Sequence, residues 1–188
     1  MLSKISLALL LCAAPLMAQE AEESQGKTHL YTPPSRMFSC EMPRSWQSFE
    51  EEDALGSVAR LMGPNNQAGT FRAGFSVRWI DKDMPGFVET KKAVELARRD
   101  DKALDRHSTP VRLMRAGNAL ARVFEITQKH QLPEESLPSN EDVIHQDVAV
   151  IPSGAGYYWI TLSSTQDLYL DYRSNFLQCL KTFQPLGR

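Results

Sequence analysis

Cysteine is scarce in this chain, three in 188 residues, which excludes a small scaffold stapled by several disulfides. Charge of one sign is missing too: 21 Lys+Arg stand against 23 Asp+Glu, a formal net charge of −2. Without a basic field to neutralise phosphates, no nucleic-acid partner is expected. No apolar run approaches the roughly 20 residues that a spanning helix needs, so no transmembrane segment is expected either. Neither Gly-x-Gly-x-x-Gly nor a P-loop occurs, which leaves nucleotide binding without support. The serines lack a Gly-x-Ser-x-Gly elbow, and no Cys-x-x-Cys spacing is present to perturb a thiol. What is present is 42% apolar and 23% charged residues, the composition of one ordinary soluble domain. About 150 folded residues bury roughly 68–70% of the surface that their unfolded chain exposes, enough to fold without a metal.

Residues 1–18 (MLSKISLALLLCAAPLMA) carry one Lys, an apolar stretch from Ile5 to Leu11 and then small residues. Those three regions make a secretory signal peptide, with cleavage expected after Ala18. Cys12 follows the apolar run as a lipoprotein cysteine would, but Leu11 stands before it where a small residue is required, so lipidation is not expected. Cleavage would remove Lys4 from the 21 basic residues and leave all 23 acids, a mature net charge of −3. The protein is therefore expected to be exported, to the periplasm or beyond. Residues 19–35 are polar, acidic and end in Pro33-Pro34. They lack the apolar content to offset their ordering entropy and read as a flexible tether. The domain is expected over residues 36–188.

Within it, Phe38, Cys40 and Met42 alternate with Ser39 and Glu41, a short half-buried strand stopped by Pro43. A second strand is expected over 56–62. A third is expected over 71–79, where Phe71, Ala73, Phe75, Val77 and Trp79 alternate with polar residues. From Phe87 to Leu104 apolar residues fall on one side of a 3.6-residue period, predicting an amphipathic helix of about 15–18 residues. Strands are expected over 111–115 and from Ala119 to about His130, the latter apolar in both phases and therefore covered on both faces. Residues 131–142 read as a solvated loop. A hairpin over 143–163 and a helix over 167–183 follow, the helix burying Leu168, Tyr172, Phe176, Cys179 and Phe183 along one stripe. The order β β β α β β β β α predicts the α+β class: an α/β/α sandwich with a mainly antiparallel central sheet and one helix on each side.

The run Phe38-Ser39-Cys40-Glu41-Met42-Pro43-Arg44-Ser45-Trp46 resembles the "strand, Pro, two residues, Trp" opening of the PsbP-like superfamily, the Mog/PsbP-like fold. Residues Arg115 to Ala121 are similar to its central hairpin turn, Tyr157-Tyr158-Trp159-Ile160 to its late aromatic strand, and Phe176 to Pro185 to its closing helix. The resemblance covers the whole domain in order. It implies the sandwich fold and a non-enzymatic style of action, since the known relatives are photosystem extrinsic subunits, a Ran-binding nuclear factor and secreted bacterial proteins. The plain secretory signal points to the secreted bacterial branch. No partner-binding residue carries over.

Candidate chemistry is sparse. Cys40 and Cys179 both occupy inward positions. In an oxidising compartment they would either form a disulfide or remain two buried thiols that act as small apolar side chains. If 130 pairs opposite 143, His130 and His145 share a face near Glu134, Glu135, Glu141 and Asp142, a candidate divalent-metal site. That arrangement depends on register, and solvated strand-end histidines are the alternative. The acidic run Glu50-Glu51-Glu52-Asp53 reads as a solvated turn. Tyr157 and Trp159 are candidates for partner contact, and otherwise for the sheet's own core. No catalytic set and no cofactor are expected. The functional expectation is an exported, non-catalytic module that docks an unidentified protein or envelope partner. The alternative is a periplasmic carrier or sensor of a small ligand or metal ion.

Overall fold

The computed structural model describes residues 28–53, 56–134 and 138–186. The expected signal segment 1–18 with Cys12, the tether residues 19–27 and Glu135 lie outside the described residues. In chain order, β1 (Thr28–Tyr31), β2 (Phe38–Pro43), β3 (Gln47–Asp53), β4 (Gly56–Asn65) and β5 (Arg72–Asp81) precede helix α1 (Thr90–Ala97). Then β6 (His107–Ser108), β7 (Arg112–Ala116), β8 (Ala119–Leu132), β9 (Asn140–Ser153) and β10 (Gly156–Thr165) lead into helix α2 (Gln166–Thr182), and β11 (Gln184–Pro185) follows.

The main sheet has the order β3-β4-β5-β10-β9-β8-β6, with β7 also on β8. A small sheet has the order β1-β2-β11, and the strand pairs of both sheets are antiparallel. This is the expected α+β sandwich. On one face of the main sheet, α2 and the small sheet enclose a core built from Phe38, Cys40, Leu61, Phe75, Ile160 and Phe176, among others. Each large side chain so buried contributes roughly 1.5–3 kcal/mol. On the other face, Val94 of α1 meets Phe124, Ile126, Val148, Val150 and Tyr157. Strand β8 serves both cores, Ala121 and Val123 the first and Phe124 and Ile126 the second, which is why both of its alternation phases are apolar.

Four expectations need correction. The tether is shorter than residues 19–35, because Thr28–Tyr31 pairs with β2 and Tyr31 is buried; Tyr31 supplies the apolar anchor that the polar segment around it lacks. The acidic run is strand β3, not a turn: it pairs with β4 in the register Glu50↔Ala59 and Glu51↔Val58. An edge strand tolerates such charge because half of it faces water, and the charge deters pairing with other chains. The first helix is only eight residues long, because the Arg106 guanidinium donates to the carbonyls of Ala97 and Arg99 and Ser108 Oγ donates to that of Arg98. Side chains thereby take the carbonyls that a longer helix would have bonded internally. Finally, the loop expected over 131–142 is shorter, since β8 and β9 stay paired out to Leu132↔Asn140, supported by Lys129 Nζ at 3.0 Å from Glu141.

The β7–β8 turn shows why one glycine is required. Gly117 has φ +53°, and a Cβ there would sit 2.0 Å from the Phe183 carbonyl oxygen. Its N–H donates to the Leu180 carbonyl at 2.9 Å, so the turn is locked against the end of α2.

Candidate functional site

A cleft of about 430 Å³ opens at one end of the main sheet, within the size range of small-molecule sites. It lies where several chain reversals converge: the end of β3 and start of β4, the end of β5, the β9–β10 hairpin, and the approach to β2. Trp79, late in β5, and Tyr158, early in β10, are cross-strand partners whose rings lie 4.7 Å apart at 49°. The Tyr158 hydroxyl donates to the Met37 carbonyl at 2.9 Å, which ties the aromatic wall to the small sheet. Burial raises the Tyr158 pKa, so the phenol stays a donor. Met37 and Met84 add polarisable apolar surface.

Charge surrounds this apolar wall. Among the described residues, Glu52, Asp81 and Asp83 line the cleft together with a single guanidinium, Arg36. The side chain of Glu52 accepts from Ser57 Oγ at 3.1 Å, and Asp81 accepts from the backbone N–H of Asp83 at 2.9 Å. Arg36 has φ +54°, a left-handed conformation costly for a residue with a Cβ. It closes a turn through its N–H to the Pro33 carbonyl. Gly56, at φ +103°, forms part of the floor, where a Cβ would stand 3.3 Å from the Met84 sulfur. Among the described residues that line the cleft there are serines but no histidine, and so no serine–histidine nucleophile–base pair.

A second polar cluster lies between α2 and the main sheet, partly exposed at Arg112, Arg173 and Glu125 and closed over Asp147. Arg173 pairs with Glu125, which also takes Arg112 at 2.8 Å, and lies 4.0 Å from Asp147. Asp147 is 2% exposed. It accepts from the Tyr169 hydroxyl at 3.4 Å, and its second oxygen has no protein partner. Burial pushes its pKa up to about 6, with Arg173 opposing and the Glu125 charge adding. His145 stacks on Tyr169 at 4.5 Å and contacts Gln166.

The residues singled out in the sequence fall elsewhere. Cys40 and Cys179 do meet: both are fully buried thiols, with their sulfurs 3.1 Å apart. His130 and His145 do not. The register is His130↔Asp142 and Thr127↔His145, one residue away from the pairing that would join them, so alternation sends them to opposite faces. His130 bonds Glu134 at 3.0 Å while His145 packs under α2. Among the described residues no group of three or more potential ligands gathers. Tyr157 is core, 3% exposed beneath α1 beside Phe87, and is not available for contact. Trp159 is half-buried against Phe124. The sequence did not reveal the cleft. Trp79 looked like one more inward residue of an alternating strand, and nothing local shows that β3 and the β9–β10 hairpin arrive beside it.

No family model matches the chain, and no curated protein does. Solved structures are similar in fold. A Pseudomonas aeruginosa protein of unknown function, described as a putative regulator, aligns over 87% of this chain and 100% of its own at TM-score 0.52 and 13% identity. A Bacteroides thetaiotaomicron protein aligns over 86% of this chain and 48% of its own (TM-score 0.48, 13% identity). Cyanobacterial PsbP from Synechocystis sp. PCC 6803 aligns over 93% and 98% (TM-score 0.43, 12% identity). The first likeness shows a shared fold. Among the described residues no helix is long and apolar enough to cross a membrane.

Proposed function

We propose that this chain is an exported, non-catalytic binding protein of the PsbP-like kind, and that recognition takes place in the cleft walled by Trp79 and Tyr158. One observation carries this reading: a concavity of about 430 Å³ in which an aromatic pair meets convergent charged groups, the arrangement that small-ligand sites share. Export rests on the signal-like residues 1–18. Absence of catalysis rests on the cleft's chemistry, which offers polar contacts but no activated nucleophile. The test is a thermal-shift screen of small molecules followed by NMR mapping on the full chain. Ligands that raise the melting temperature should perturb the Trp79 indole and the Met84 methyl first. Hits that map elsewhere would refute the placement.

A second reading, docking of a macromolecular partner, has one observation in its favour. Cross-strand pairing puts Leu113, Arg115, Leu120 and Arg122 on one face of the β7–β8 hairpin, and the two leucines are 69% and 61% exposed. Leu113→Ser with Leu120→Ser should abolish co-purification of such a partner and leave the thermal-shift hits intact.

A further inference from the structure

We propose that the cleft takes a small organic cation, an amine whose apolar body lies against Trp79 and the methionines while its ammonium group faces the carboxylates. This rests on the binding reading above and adds the ligand's charge. Among the described residues that line the cleft, three carboxylates, Glu52, Asp81 and Asp83, outnumber one guanidinium, Arg36, so their field favours positive charge although the whole chain is nearly neutral. Lys82, in the same turn, does not line the cleft; its ammonium reaches toward the Gly154 carbonyl, 3.5 Å away on the neighbouring hairpin. Hydrogen bonds fix two of the carboxylates before any ligand arrives, one from Ser57 to Glu52 and one from the Asp83 N–H to Asp81. An oriented carboxylate is a better acceptor for an ammonium group than a mobile one, because less side-chain freedom is lost on binding.

The aromatic wall points the same way. An indole face is the best cation partner among side chains, and Trp79 is half-exposed at the cleft rather than sealed in the core. Tyr158, 4% exposed, spends its hydroxyl on Met37 and backs the Trp79 ring from within, 4.7 Å away, rather than offering the ligand a hydrogen bond. Met37 and Met84 supply adaptable apolar contact for a body of variable shape. Arg36, exposed on its turn, is the one cation among the described lining residues and opposes the proposed ligand. Its removal should therefore tighten binding, a prediction that an anionic or zwitterionic ligand would reverse.

The experiment compares three probes of similar body and different charge, 2-phenylethylamine, 2-phenylethanol and phenylacetate, each at millimolar concentration with the full chain. Saturation-transfer NMR and the Trp79 indole resonance are the readouts. The amine should bind about tenfold more tightly than the alcohol, the scale of a charge-assisted contact, and phenylacetate should not bind. In Glu52→Gln with Asp83→Asn, both solvent-exposed positions whose change should not affect folding, the amine's advantage should disappear while the alcohol is unaffected. Arg36→Gln should tighten the amine. Equal affinity for the three probes, an unchanged amine affinity in the carboxylate variant, or weaker amine binding in Arg36→Gln would overturn the cation inference and leave the cleft as a binding site. No saturation transfer from any of the three would overturn both.

Discussion

Oxidation should link Cys40 to Cys179 and raise stability by an amount set mainly by loop length. The two sulfurs lie 3.1 Å apart, between residues 139 positions apart in sequence. In the chain-entropy model, closing a loop of that length stabilises by about 5 kcal/mol at 25 °C, less any strain. The sulfurs need approach by only about 1 Å to reach bonding distance. Burial and the neighbouring Cys40 sulfur hold the Cys179 thiol well above its usual pKa, so the attacking thiolate is rare and oxidation is slow in the folded state. In the assay, reduced protein is refolded in oxidised glutathione. The two protein thiols are oxidised to a disulfide and one glutathione disulfide is reduced to two thiols. With residues 1–18, and so Cys12, removed, the product should be about 2 Da lighter, show no alkylatable thiol after denaturation, and melt higher by roughly 10–20 °C, at 2–4 °C per kcal/mol for a domain of this size. Cys40→Ser should eliminate the difference between oxidised and reduced samples. Two alkylatable thiols after refolding under oxidising conditions, or a bridged protein that melts no higher, would refute the reasoning.

The buried carboxyl of Asp147 gives a pH signature. Its folded pKa is raised from 3.8 to about 6, so the folded state holds the proton more tightly than the unfolded one. The resulting stabilisation is complete below about pH 4 and lost as pH rises to about 6, a swing of about 3 kcal/mol. Urea melts across that window should show Asp147→Asn gaining on the parent protein as pH rises; a constant difference would contradict the assignment. Gly117→Ala should destabilise by about 2–4 kcal/mol, because it combines a positive φ with a backbone clash against Phe183; a melting temperature within a degree of the parent's would exclude that packing. Lys129→Met should change stability by less than about 1 kcal/mol, because the exposed bridges to Asp105 and Glu141 are screened by water, and thermal melts at two salt concentrations check it.

Much of the fold was legible wherever a segment's burial follows from its own periodicity. The alternation in β5, the doubly apolar β8 and the narrow stripe of α2 each gave the right element and the right inward side. Reading failed where a distant residue decides. Nothing within Glu50–Asp53 says that β4 will pair with it, and Arg106 shortens α1 from outside the helix. The ladder of β8 on β9 runs on to Leu132↔Asn140, past the ends expected at His130 and Val143, so a pairing assumed from the loop was off by one and brought His130 and His145 together wrongly. The meeting of Cys40 with Cys179 was foreseeable, since both were inward residues of elements that had to pack. The cleft was not, because its walls come from several separate reversals of the chain.

The small sheet holds a further consequence. Strands β1 and β11 flank the same strand, β2, so the first and last described segments depend on one shared partner. On a chain emerging residue by residue, β2 gains β1 at once but waits for nearly the whole sequence before α2 and β11 cover it. Until then the face carrying Phe38, Cys40 and Met42 stays open, and Cys40 is accessible to solvent oxidants and to other chains. The hazard to this protein therefore lies in its own biosynthesis rather than in the finished domain, and any delay in translation after β10 prolongs it.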